Sequence, residues 1–231
     1  MTYTSRAWIR HGYHLNSRYW QQWKLQRPPL APYLQHCLLG ICLGDAHVFR
    51  SSRHAALKFQ QGAHQYEFIQ YLFILFQQWR WMPTLGIRYT STGDIKSYWF
   101  KTFSHPEFTP YYTALYPVGH TSRQIPTMCL HRLGLSPIVL AYWIICDGGL
   151  HRDGRTLTLH TQCWTYTQQQ ELVSLFYTFY GWHVQCRRHK NKYWVLEIPA
   201  PYSDACARYI SPWILPSFAY KVPRETSTRY L

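Results

Sequence analysis

A chain of 231 residues is long enough for one large domain or for two similar halves, and an apolar share of 47% excludes global disorder. A net charge of +14 and a pI of about 9.6 favour polyanionic partners: DNA, RNA or an anionic surface. The longest clean apolar run, Ile138 to Cys146, is too short for a bilayer, and the start shows no charged region followed by a signal-like apolar stretch. None of the seven cysteines forms a CxxC pair, which argues against zinc and for a reducing compartment.

In chain order, residues 1–29 are expected to form a basic arm without Asp or Glu. It carries Arg6, Arg10, Arg18, Lys24 and Arg27 and suits either DNA contact or organelle targeting. Pro28-Pro29 and Pro32 end it. A helix is expected from about Tyr33 to Gly44, closing on Asp45. Strand-like Ala56 to Gln60 follows, then a helix around Glu67 to Leu72, then a strand around Tyr98-Trp99-Phe100. Ser136-Pro137 supplies an N-cap and a first-turn proline for a second apolar helix closing on Asp147. Glycines beside each aspartate mark the helix ends. The order then repeats: a strand from Leu157 to Gln162, a helix around Glu171 to Phe176, a strand around Tyr193-Trp194-Val195.

Gln60 and Gln162 each lie fifteen residues after their aspartate. Each half ends with a basic residue just before a proline, Arg123 before Pro126 and Lys221 before Pro223. One internal duplication explains all of these matches. The reading is an α+β fold of two halves, residues 30–126 and 136–223, joined by a linker at 127–135 and followed by a tail at 224–231. The sheets carry one face on the helices and the other open.

The paired aspartates carry the chemistry. Gly40 and Gly44 share a helix face, and Ala141, Cys146 and Gly148 supply small residues on the second helix. Close packing of the two helices would bring Asp45 and Asp147 together. Adjacent carboxylates repel unless a hard cation such as Mg²⁺ sits between them, and such an ion activates water at a phosphodiester.

Leu39-Gly40-Ile41-Cys42-Leu43-Gly44-Asp45-Ala46 and Leu140-Ala141-Tyr142-Trp143-Ile144-Ile145-Cys146-Asp147-Gly148-Gly149 resemble the two signature motifs of single-chain LAGLIDADG homing endonucleases of the mitochondrial omega-intron type. The resemblance covers about residues 30–223 and includes the ending Tyr220-Lys221-Val222-Pro223. It implies two pseudo-symmetric αββαββα halves, paired motif helices at their interface, and saddle-shaped antiparallel sheets on the DNA major groove. It implies that Asp45 and Asp147 bind Mg²⁺ or Mn²⁺, with Ala46 and Cys146 beside them in the metal site. Arg123 and Lys221 match basic residues near the active centres, and Gln60 and Gln162 would position water or DNA, with Lys58 an alternative to Gln60. Arg in place of the more usual lysine at 123 does not readily give up a proton.

Arg50, Arg53, Lys58, Arg80, Arg88, Lys96, Lys101, Arg152, Arg155, Arg187, Arg188, Lys190 and Lys192 form the expected DNA-binding surface. The densest run, Arg187 to Lys192, reads as a hairpin tip. The clusters Tyr19 to Trp23 and Trp79-Arg80-Trp81 read as packing aromatics rather than stacking platforms, and the histidines show no paired metal spacing.

The expected function is cleavage of both strands of a long, asymmetric double-stranded DNA target by a monomer, intron-encoded, in a mitochondrion or chloroplast and without a membrane partner. The runner-up is an RNA-binding splicing maturase on the same scaffold, taking its own intron RNA. Retention of both aspartates favours cleavage. A generic basic nucleic-acid binder leaves the repeated acids unexplained.

Overall fold

The computed structural model describes residues 17–50, 53–120, 122–190 and 192–223. Arg6, Arg10 and the rest of the expected arm before residue 17, Asn191, and the tail at 224–231 lie outside the described residues.

In chain order the elements are α1 (Arg18–Leu25), α2 (Pro32–Leu43), β1 (His47–Arg50), β2 (Ala55–Gly62), α3 (Tyr66–Leu75), β3 (Gly86–Tyr89), β4 (Ile95–Lys101), α4 (Thr109–Leu115), α5 (Thr127–Leu133), α6 (Pro137–Asp147), β5 (Gly148–Leu150), β6 (Leu157–Leu159), α7 (Tyr166–Tyr180), β7 (Gln185–His189), β8 (Tyr193–Ile198) and α8 (Ala200–Ile210). A 3₁₀ turn over Pro216–Lys221 closes the described chain. The α+β reading holds: each run is helix, hairpin, helix, hairpin, helix, with two four-stranded antiparallel sheets ordered β1-β2-β4-β3 and β5-β6-β8-β7.

By contacts the chain forms two compact units, one from the chain through Ala31 with Ala46–Tyr112, the other from Pro32–Asp45 with Thr113 onward. This division differs from that of the sequence repeat. The first motif helix, α2, belongs by its contacts to the second unit, because its apolar surface packs on α6.

In the first unit, Phe59 of β2 and Phe100 of β4 stack at 4.7 Å beneath α3, whose Phe68, Ile69 and Leu72 are buried. Strand alternation then puts Lys58, Gln60, Trp99 and Lys101 on the opposite, open face. Residues 18–25, taken from sequence as part of an arm, form a packed helix instead. Ser17 caps α1 by accepting a bond from the Trp20 amide at 3.2 Å. Trp20 and Trp23 stack at 4.7 Å, and both meet Phe103 edge-on. His105 Nε2 donates to the Lys24 carbonyl at 2.9 Å. Of the aromatics expected to pack, Trp20 and Trp79 are buried, while Tyr19 and Trp81 are exposed.

In the second unit, α2 and α6 are buried on almost every side, so their apolar residues need no stripe. A Cβ on Gly40 would overlap the Val139 carbonyl oxygen and come within 2.8 Å of Tyr142 Cβ. Close approach of the two helices therefore requires glycine there. The contact is pinned by Tyr33 Oη and Tyr142 Oη at 2.8 Å, and by Ser136 Oγ and His36 Nδ1 at 2.8 Å. Ser136 also caps α6 at the Val139 amide, as expected.

Gly148 follows the last residue of α6, as expected, and with a φ of −79° it leads straight into β5. It is glycine because a Cβ would lie 2.6 Å from the Ile144 carbonyl oxygen. The strand expected to reach Gln162 ends at Leu159, because Thr161 Oγ1 turns back onto Gln169 Oε1 at 3.0 Å and the chain bends there.

Candidate active site

α2 ends at Leu43, two residues before Asp45, and α6 ends at Asp147 itself. A Cβ on Gly44 would overlap Cys146 Cβ and lie 3.3 Å from Asp147 Oδ2. The two helix ends therefore meet backbone to side chain, with the carboxylate of one against the glycine of the other. Asp45 is exposed and Asp147 half-buried.

Each helix end is closed by one basic side chain. Arg123 Nη1 donates to the Gly44 carbonyl at 3.2 Å. Lys221 Nζ donates to the Ile145 carbonyl at 2.7 Å and to the Cys146 carbonyl at 3.4 Å. Gly44 precedes Asp45 and Cys146 precedes Asp147, so the two contacts are equivalent in the repeat. A cation against the last carbonyls of a helix is favoured by its unpaired acceptors and its dipole.

The surroundings of the cations differ. Lys221 is 8% exposed, and burial lowers its pKa against the opposing pull of Asp45 and Asp147. Arg123 is held 4.9 Å over the Trp164 ring. Its Nε and Nη2 are buried without a hydrogen-bond partner, an unusual state for a guanidinium. Gln168 Nε2 fixes this segment by donating to the Arg123 carbonyl at 3.2 Å and to Gln124 Oε1 at 2.8 Å. The same Gln168 closes the capping box that starts α7 with Thr165.

Burial pushes the Asp147 carboxyl up to about 7, and the negative charge of Asp45 adds to the shift; Arg123 and Lys221 oppose it. A further cation, between the carboxylates, would relieve that repulsion. The donor set fits a hard metal ion. Among the described residues no third His, Cys, Asp or Glu joins the pair into a cluster, so water and phosphate oxygens would fill the remaining positions, as Mg²⁺ prefers. Cys146 lies beside Asp147; burial raises its thiol pKa, and its carbonyl accepts from Lys221. Ala46 has only backbone atoms to offer.

The other expected residues are scattered. Gln60 lies on β2 and donates Nε2 to Ser97 Oγ at 2.9 Å. Gln162 is exposed in the turn after β6, 3.4 Å from His160 Nδ1. Arg50, Arg53, Lys58, Arg88, Lys96 and Lys101 lie on or beside the first sheet. Arg152, Arg155, Arg187, Arg188, Lys190 and Lys192 lie on the loops and outer hairpin of the second, which confirms a hairpin turn at Lys190. Arg80 does not belong with them. Its Nη1 donates to the carbonyls of Met82 at 2.8 Å and Pro83 at 3.2 Å, and its guanidinium sits 3.4 Å over Phe73. It locks the loop after α3.

Sequence reasoning missed His160, Cys163, Trp164 and Gln168. His160 donates its amide to the Asp147 carbonyl at 2.8 Å, and Cys163 lies within electrostatic reach of Arg123 and Asp147. The only sequence signal was the Thr165-to-Gln168 capping pattern.

The LAGLIDADG DNA endonuclease family profile matches residues 35–201. The chain is 36% identical over 137 residues to a probable intron-encoded DNA endonuclease 3 of Mycosarcoma maydis, across 58% of this chain and 98% of that protein. It is 24% identical over 205 residues to the cytochrome b mRNA maturase bI2 of Saccharomyces cerevisiae, covering 84% of this chain but only 48% of the maturase. The solved structure of the homing endonuclease I-WcaI bound to its DNA recognition sequence shares the fold, with a TM-score of 0.79 over 94% of this chain and 97% of that one at 22% identity.

Proposed function

The chain belongs to the LAGLIDADG DNA endonuclease family, and from that membership we propose that it is a site-specific double-strand DNA endonuclease acting as a single chain. The observation that carries this reading is the matched pair of helix ends, each presenting one aspartate beside one basic side chain. Asp45 and Asp147 would hold a divalent ion, Mg²⁺ or Mn²⁺. When bound, the ion supplies an activated water and neutralises charge at the phosphodiester.

The chain's own residues do the rest. Arg123, anchored on the Gly44 carbonyl and packed over Trp164, holds a fixed positive charge at the end of α2 that favours a phosphate there. Lys221 keeps a proton at Nζ, oriented by the Ile145 and Cys146 carbonyls, and stabilises charge that develops on the phosphate. Gln60, Gln162 and the basic residues of both sheets contact the duplex; their phosphate bonds fix register and the base-edge contacts select sequence. The target is long and asymmetric because the two sheets carry different side chains. The names of the relatives support an intron-encoded protein working in an organelle. Among the described residues no helix is long and apolar enough to cross a membrane.

A randomised duplex-site library, incubated with Mg²⁺ and with EDTA, tests the proposal. Discrete Mg²⁺-dependent double-strand cuts at one long motif, abolished by Asp45→Asn and by Asp147→Asn, are the expected result. Full-rate cutting by either variant would disprove the metal assignment. The likeness to two cytochrome b mRNA maturases supports a second reading, binding of the host intron RNA. Tight intron binding with no DNA cleavage under any divalent ion would put that reading first.

A further inference from the structure

The four strands of the first sheet contain Arg50, Lys58, Arg88, Lys96 and Lys101 and no acidic residue. Lys58 and Lys101 stand directly opposite each other on β2 and β4, a like-charge pair that destabilises a sheet on its own. Burial lowers the Lys58 pKa, and the charges of Arg88 and Lys101 lower it further. A face arranged in this way is completed by a polyanion.

Two half-buried aromatic rings lie among these cations. Lys101 Nζ is 5.6 Å from the Phe49 ring and 5.7 Å from the Trp99 ring, and Lys58 Nζ is 5.9 Å from Trp99. The Trp99 ring covers Gly86 on the neighbouring strand so closely that any Cβ there would overlap the indole. Trp99 thus lies across the sheet surface rather than standing out from it. Gln60, the amide on the same face, gives its Nε2 to Ser97. What this face offers is apolar ring area beside ammonium groups.

Thymine alone presents both complements at one major-groove edge, a C5 methyl group next to the O4 acceptor. Guanine offers acceptors without a methyl, and cytosine offers a donor. We propose that the first sheet reads thymines in its half-site, with Phe49 and Trp99 against the methyl groups and Lys58 and Lys101 donating to O4. The second sheet differs in carrying an acid, Glu197, on its outer hairpin, with Oε2 3.7 Å from Arg187 Nε. The inference rests on the endonuclease reading, since it needs a duplex on this face.

The experiment uses the full chain and the cleavage motif selected from the library. Each thymine is replaced singly by deoxyuridine, which deletes the methyl and leaves every hydrogen-bonding group, and the Kd is measured by fluorescence anisotropy in EDTA. Uracil is expected to weaken binding about four-fold per contacted methyl, at positions confined to one half-site. With Phe49→Ala, at least one of those positions should bind thymine and uracil equally. In parallel, 5-iododeoxyuridine places iodine where the methyl sits, and irradiation should crosslink a peptide containing Phe49 or Trp99. Uniform tolerance of uracil, a selected half-site without fixed thymines, or crosslinks only to other residues would each overturn the inference while cleavage stands. Failure to bind duplex DNA at all would remove the endonuclease reading and this one with it.

Discussion

Replacing Asp147 by Asn should stabilise the metal-free protein, and more at high pH than at low. The ordinary pKa of this carboxyl is 3.8, and in the fold burial and Asp45 push it up to about 7, a value that already includes the opposing attraction of Arg123 and Lys221. The sign follows from linkage. Below pH 3.8 both folded and unfolded chains hold the proton, and folding costs nothing extra. Between 3.8 and about 7 the unfolded chain ionises while the folded one resists, so stability falls as pH rises; above about 7 the loss levels off. At 1.36 kcal/mol per pH unit the penalty has a ceiling of about 4 kcal/mol at pH 8 and about 1.7 kcal/mol at pH 5. Solvent reaching the partly exposed carboxyl reduces the pH 8 figure to about 2 kcal/mol. Asn keeps the shape and has no charge to bury. For a chain of this size Asp147→Asn should raise Tm by about 4–8 °C at pH 8 and by less than half of that at pH 5, measured by scanning calorimetry in EDTA. Equal gains at both pH values, or a lower Tm at pH 8, would show that neither burial nor Asp45 sets the state of this group.

Gly44→Ala should cost about 1–3 kcal/mol in urea denaturation, because the new methyl meets Cys146 Cβ where two helix ends touch and neither backbone can yield. Lys221→Met should slow single-turnover cleavage about 100-fold or more while changing the Kd for DNA little, since the ammonium is buried at the helix end rather than spread on the binding face. Gln169→Leu should destabilise by about 2–4 kcal/mol in the same urea assay. It leaves the carbonyls of Thr161, Trp164 and Trp194, now bonded at 3.0, 3.3 and 2.9 Å, without their shared donor.

The architecture was readable because it depends on local patterns that occur twice. Two apolar helices closing on aspartate, glycine at a fixed helix face and an N-cap at Ser136 each act within a few residues, and the structure uses all of them. What escaped depends on contacts distant in sequence. Arg80 is indistinguishable in sequence from a DNA-binding arginine until the loop carbonyls of Met82 and Pro83 fold back onto it over Phe73. The β6 strand stops early because Gln169, on a helix, draws Thr161 inward. Trp164 could not be placed under Arg123 from spacing alone, since forty-one residues separate them. The α1 helix was within reach: Ser17 before Trp20, Trp23 and Lys24 is a cap followed by a helical stripe, outweighed by the basic composition around it.

The two ends of the site are equivalent in position and unequal in chemistry, and the inequality follows from what surrounds each cation. Lys221 is satisfied by two carbonyls, and burial lowers its pKa below that of a solvated lysine while Asp45 and Asp147 pull the other way. Arg123 gives one nitrogen to Gly44, rests on Trp164 and buries two more nitrogens; an arginine there is a fixed positive charge that does not trade a proton. The duplication therefore preserved the capping contact that each helix end needs for stability while leaving the chemistry of the capping residue free to diverge. Under the endonuclease reading the two strands of a target meet different assistance, a fixed guanidinium on one side and a buried ammonium on the other, although each has an aspartate at its helix end.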